Sequence, residues 1–227
     1  MRGIAHLGAF VDQARRDGDL LEIDRPADPH LEIAAVARAT DGGPAVLFRN
    51  VKGYPGRTVL TNVFGNRARI ARMCGVHPDY LPRFLADAAL APVASAEVKD
   101  AHSQRHAIVK DIDIAAAVPI TQQTKDDAGY VITGGLALAR DPETGAFNGS
   151  YHRMRVLGRD TTCITIQAGR HLLEIARKYR KAGRNHVPLT VNVGAGPAVL
   201  LASSGSTQQT LTPMGYDELG FAGALQG

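Results

Sequence analysis

Apolar residues recur at helical spacing near the start of the chain, at Leu7, Phe10, Val11 and Ala14, with Gly18 following as a stop signal. The run LLEID then reads as a short strand, and an apolar helix is expected from near Leu31. AVLFRNV and RTVLTNV read as strands separated by the turn residues KGYPG. Asn66 opens a helix, NRARIARMCG, that Gly75 closes. From Ala91 to about His106 small and charged residues mix without a period, which places a boundary there.

Beyond that boundary the strands lengthen. VITGGLALARD and AFNGSYHRMRVLG flank the turn Pro142-Glu143-Thr144-Gly145, the pattern of a hairpin. TTCITIQ is β-branched and predicts a third strand. A helix is expected from His171 to Ala182, with Leu172, Ile175, Ala176 and Tyr179 inward and Gly183 as its cap. VPLTVNV is a further strand, and DELGFAGALQG begins an apolar helical segment. The expected class is therefore α+β: a small amino-terminal α/β unit over residues 1–105 and a β-rich unit over 106–227. The last segment reads as an unfinished hydrophobic element, with Phe221 and Leu225 forming a stripe that water would not tolerate.

At 227 residues the chain can bury a real core, and 44% hydrophobic with 21% charged residues is ordinary for a soluble globular protein. No apolar run approaches membrane-spanning length, and the start lacks the apolar core of a signal peptide. Cys74 and Cys163 are too few for a disulfide framework or a zinc site, so a reducing cytoplasm is expected. The net charge of +4 raises nucleic acid as a partner, but Trp is absent and aromatics are only 5%, which argues against base stacking. The one dense basic stretch, Arg177, Lys178, Arg180, Lys181 and Arg184, closes a predicted helix, where cations offset the helix dipole.

Candidate chemistry sits in the second unit. Gly194-Ala195-Gly196 follows a strand, but Val199 occupies the third glycine position of a dinucleotide loop, so a tight turn is the better reading. Gly169-Arg170-His171 opens a helix, and its unpaired N–H groups with the Arg170 fork suit a phosphate. On spacing alone His171 reads first as a surface or capping histidine, with a ligand role as the alternative. Asn148, Ser150, His152, Arg153 and Arg155 crowd one strand-like run, which a solvated strand would also explain.

The run KDDAGYVITGGLALARDPETGAFNGSYHRMRVLG resembles the hairpin region of UbiD-type decarboxylases: an acidic-Gly-aromatic stretch, a strand, a DP-x-T-G turn and an Asn five residues before an Arg. Asn148 and Arg153 keep that offset, His171 stands at the place of the family's metal-binding His, and DELGFAGAL is similar to the segment whose Glu completes the site. NVFGNRARIARMCGV resembles the family's Asn-x-Phe-Gly helix start. The similarity extends along essentially the whole chain.

The resemblance implies an incomplete split β-barrel that binds prenylated FMN, the electron sink for a non-oxidative decarboxylation of an aromatic or α,β-unsaturated acid. It implies that Asn148, His171 and Glu218 hold Mn²⁺ or Mg²⁺ at the flavin phosphate, a mixed oxygen and nitrogen set that suits such ions. Ser150, Tyr151, Arg170, Ser203 and Ser204 would line the flavin, and backbone oxygens at Ala202 and Ser203 would take K⁺. Arg153 would orient the substrate carboxylate. On a regular strand Asn148 and Arg153 face opposite sides, so a bulge is expected, with Gly149 placed to supply it.

The family is about twice this length, and its acid–base Glu pair and phosphate-binding Lys lie beyond the last residue here. A second polypeptide, in a hetero-oligomer, is expected to supply them and to cover the apolar stripe. The alternatives are a non-catalytic flavin-binding module and a truncated single-chain decarboxylase.

Overall fold

The computed structural model describes residues 5–99, 107–127, 129–204 and 216–227. Strands β1 (Leu20–Ile23), β2 (Ala45–Phe48) and β3 (Val59–Thr61) form one sheet, with β2 between a parallel β1 and an antiparallel β3. Helices α1 (Leu7–Arg16), α2 (Glu32–Ala39) and α3 (Arg67–Cys74) fall where periodicity places them. Asn66 caps α3 by accepting from the Arg69 amide at 2.8 Å, and Gly75, at φ 70°, ends it in the left-handed conformation. Arg69 is itself buried, with Nε and Nη2 on the Asp19 carboxylate at 2.8 and 2.7 Å and further bonds to the carbonyls of Asn62 and Gly43.

Helix α4 (Leu81–Leu90) lies beyond the elements expected above, although Pro82 in its first turn and Leu81, Phe84, Leu85 and Ala88 are a sufficient signal. The short α5 (Ile114–Ala117) leads into the second unit, where β4 (Val131–Ile132), β5 (Gly135–Arg140), β6 (Phe147–Tyr151), β7 (Met154–Val156), β8 (Thr162–Ile164) and β9 (Leu189–Val193) form two sheets. Their orders are β4-β7-β8 and β6-β5-β9, and the described strands close no barrel. The expected α+β class holds.

The long hairpin changes sheets at one point on both strands. Leu136 pairs with Tyr151, whereas Ile132 pairs with Met154. Between those pairs Thr133, Gly134 and Gly135 face only His152 and Arg153, so a bulge carries one extra residue on the first strand. The bulge expected at Gly149 is absent: Gly149 pairs with Leu138 in regular register. The alternation between Asn148 and Arg153 is broken where β6 ends and β7 begins.

Helix α6 (His171–Lys181) lays Leu172, Ile175 and Tyr179 on Ala137 and Ala139 of β5, in a core with Ile132 and Met154. Helices α7 (Pro197–Ser204) and α8 (Glu218–Gln226) cover the other side of β6 and reach the first unit. Their Ala198, Ala202, Phe221, Ala222 and Leu225 share one core with Phe10, Ala14, Met73 and Ala88. This overturns the expected sticky stripe. Phe221 is 6% exposed and Leu225 0%, so the chain buries the stripe itself. On α8, Gly220 and Gly223 let Pro92 and Val93 approach within the space of a side chain.

Candidate functional site

Three elements converge on one polar cluster. Asn148 is the second residue of β6, His171 the first of α6 and Glu218 the first of α8. Asn148 Nδ2 donates to Glu218 Oε1 at 3.1 Å and lies 3.4 Å from His171 Nδ1, and the Gly149 amide donates to Glu218 Oε2 at 3.2 Å. Asp217 caps α8 by accepting from the Gly220 amide at 2.7 Å, which turns Glu218 inward at the helix start. Glu218 is 1% exposed, and burial pushes its carboxyl up to about 7 against the opposing bonds from its own amide, Gly149 and Asn148.

These distances decide whether the trio could hold a small divalent cation. Neighbouring ligands around an octahedral ion at about 2.1 Å lie roughly 3 Å apart. The present separations of 3.1 and 3.4 Å match that spacing. Rotation of the Asn148 amide exchanges Nδ2 for Oδ1 and presents an oxygen. Among the described residues no three His, Cys, Asp or Glu side chains form a metal cluster, so a site here depends on the asparagine.

Ser150 Oγ bridges outward, 3.4 Å from Asn148 Oδ1 and 2.9 Å from His152 Nε2. Burial lowers the His152 pKa, a bond to the Thr165 backbone opposes the shift, and the Arg170 charge adds to it. Tyr151 bonds to Ser204, and its burial pushes the phenol up to about 12. Ser203 Oγ is buried with no hydrogen-bond partner among the described residues, which leaves an unsatisfied hydroxyl inside the cluster. Ala202 is buried beside it. Gly149 owes its place to close approach: a Cβ there would stand 2.8 Å from that same hydroxyl and 3.7 Å from Glu218 Cβ.

The two arginines are both exposed. Arg170 is the exposed N-cap of α6 and makes no side-chain cap bond, so the helix start carries no capping side chain. Arg153 is exposed at the sheet change, forms no ion pair with a described residue, and reaches Asp127 only as a field. The basic run on α6 is only partly the expected dipole compensation. Lys178 pairs with Asp141 at 2.6 Å, Arg177 with Glu174, and Arg184 stacks over Tyr179. Asp141, the Gly149 amide and the Ser203 hydroxyl were not singled out by spacing, and only the Asp-Pro turn start at Asp141 carried a signal.

The chain is an α+β fold whose hairpin splits between two sheets, with an Asn–His–Glu cluster where α6 and α8 meet β6. Residues 11–89 match the 3-octaprenyl-4-hydroxybenzoate carboxy-lyase N-terminal domain, and residues 95–227 match the Rift-related domain of the same carboxy-lyase. The chain belongs to the UbiD family. It is 34% identical to the gallate decarboxylase of Lactiplantibacillus plantarum over 223 residues, covering 90% of this chain and 44% of the relative. The UbiD-class enzyme HmfF of Pelotomaculum thermopropionicum, in an evolved dimeric form with prFMN, superposes with a TM-score of 0.89 at 34% identity, over 97% of this chain and 50% of that one. The closed form of vanillic acid decarboxylase ShVdcCD from Sedimentibacter hydroxybenzoicus superposes with a TM-score of 0.86 at 27% identity, over 98% and 48%. The chain spans about half the length of the curated relatives it matches. Among the described residues no helix is long and apolar enough to cross a membrane.

Proposed function

We propose that this chain is a subunit of a UbiD-like, non-oxidative decarboxylase that converts an aromatic or α,β-unsaturated acid, R–CO₂H, to R–H and CO₂ with prenylated FMN. The observation that carries the proposal is the convergence of Asn148, His171 and Glu218 at separations a divalent cation fits. It is supported by the likeness to an enzyme solved with prFMN.

Asn148, His171 and Glu218 would hold Mn²⁺ or Mg²⁺, and a cation there would keep the buried Glu218 ionised. Bound prenylated FMN would supply the electron sink for loss of CO₂. The α6 start and Arg170 would hold its phosphate, with Ser150, Tyr151, Ser203 and Ser204 along its length and K⁺ on the backbone of Ala202 and Ser203. The unsatisfied Ser203 hydroxyl is the observation that fits such a ligand. Arg153, exposed and without an ion-pair partner among the described residues, would take the substrate carboxylate through a charge-assisted fork.

The proton that replaces CO₂ would come from carboxylates on a second polypeptide, which would also supply a phosphate-binding lysine. Support for this partner is the half-length span of the relatives, since α8 needs no cover. A component ShVdcD accompanies the matched vanillic acid decarboxylase chain, but this chain covers only 48% of the matched chain itself, so ShVdcD does not stand for the missing half. The test is co-expression with candidate partners and a prenylated-flavin source, followed by assay on a panel of acids. Release of CO₂ that needs the partner, with metal-dependent flavin retention lost in His171→Ala, is expected. Retention unchanged in His171→Ala overturns the metal assignment, and turnover by the chain alone overturns the partner.

A further inference from the structure

The Asp141–Lys178 ion pair joins the hairpin to α6 at the end remote from His171. Lys178 Nζ lies 2.6 Å from Asp141 Oδ2 and 3.0 Å from Glu143 Oε2, and the Asp141 side chain is only 3% exposed. The other Asp141 oxygen accepts from the amides of Glu143 and Thr144 at 2.9 and 3.4 Å, and its backbone closes the turn through Ala146 and Gly145. The carboxylate is thus fixed by the turn that delivers β6, and Lys178 reaches it from α6.

Lys178 is seven residues after His171, a displacement of two helical turns. Both therefore lie on one face of α6, about 10 Å apart along its axis. That face meets the hairpin at two polar points: His171 at Asn148 of β6, and Lys178 at Asp141 just beyond β5. Asn148 stands opposite Ala139, two residues before Asp141 on the same strand, so the two points lie close together along the hairpin. Leu172, Ile175 and Tyr179 fix which face of α6 is buried, and the two polar contacts fix its two ends against the hairpin. A slip of one residue would carry His171 about 1.5 Å along the axis and turn it by about 100°.

We infer that Asp141 and Lys178 are positioning residues, a latch that sets the axial register of α6 and so holds His171 Nδ1 against Asn148. The inference rests on the proposed metal role of His171 for its consequence, but the register it describes does not. Lys178→Met keeps the aliphatic stem and removes the latch. Lys178→Arg restores a charged donor with a fork that suits Asp141.

Mn²⁺ titrations followed by electron paramagnetic resonance, on the full chain in the presence of FMN, read the consequence. Lys178→Met is expected to weaken Mn²⁺ binding about tenfold or more, the usual effect of losing a group that orients a ligand, and Lys178→Arg to restore most of it. In the His171→Ala background the Lys178→Met effect is expected to vanish. Nitrogen NMR of the His171 ring, assigned through His171→Ala, reads the register without metal. Its signals are expected to shift and broaden in Lys178→Met and to return in Lys178→Arg. If wild type binds Mn²⁺ no better than His171→Ala, the metal reading fails and the ring signals alone decide the latch. Wild-type ring signals in a folded Lys178→Met, or Mn²⁺ affinity lost equally in Lys178→Met and Lys178→Arg, overturn it.

Discussion

Gly149→Ala isolates the role that close packing plays in building the site. The backbone at Gly149 is ordinary strand, so any cost comes from space. The new Cβ would stand 2.8 Å from Ser203 Oγ and 3.2 Å from Leu138 Cδ2. The leucine methyl can turn aside, but Ser203 is held on α7, which packs on both β6 and α8. A normal carbon–oxygen contact needs about half an ångström more, and overfilling of this kind costs about 1–3 kcal/mol. Alanine recovers up to about 1 kcal/mol by restricting the unfolded chain, so a net loss of about 1–2 kcal/mol is expected, a fall of roughly 2–8 °C in Tm for a chain of this size. Ser203→Ala removes the clashing atom and an unsatisfied hydroxyl together. The double variant Gly149→Ala/Ser203→Ala is therefore expected to be close to Ser203→Ala in stability, a coupling of about 1–2 kcal/mol. Urea unfolding followed by far-ultraviolet circular dichroism measures all four proteins. A Gly149→Ala protein as stable as wild type, or a loss that Ser203→Ala leaves untouched, refutes the close-approach role.

Arg69→Met leaves Asp19 in a half-covered site without its main partner and is expected to cost about 3–5 kcal/mol in urea unfolding. The arginines hold the Asp19 carboxyl below its ordinary range, with Arg69 the larger cause and Arg72 the smaller. A lowered folded value means its contribution is complete above about pH 4 and is lost as the pH falls through that lowered value, so the wild-type advantage over Arg69→Met should shrink on acidification. Phe221→Ala is expected to cost about 3–5 kcal/mol in the isolated chain, because the ring is 6% exposed within the chain's own core; a cost seen only in a complex would return that ring to a partner interface. Arg153→Lys keeps charge but loses the fork, and turnover in the assembled enzyme should fall at least about tenfold, or about 1.4 kcal/mol, with flavin content retained.

Elements governed by neighbours along the chain were legible without coordinates. The inward face of α6, the Asn66 start and Gly75 end of α3, and the Asp-Pro turn are set by hydrogen bonds and sterics acting over a few residues. The candidate trio was legible only through family resemblance, since nothing in spacing joins Asn148 to residues 23 and 70 positions away. Tertiary structure alone decided three matters. The bulge lies between Ile132 and Leu136 because register is a property of two strands, and one strand read alone pointed to Gly149. Lys178 turned from dipole compensation to an ion pair because its partner comes from another element. The stripe on α8 is apolar in any reading, but whether Phe221 and Leu225 meet water, a second chain or Phe10 and Met73 depends on how the helices of both units pack. Hydrophobicity specifies that a surface be covered and, being non-directional, leaves the choice of cover to the fold.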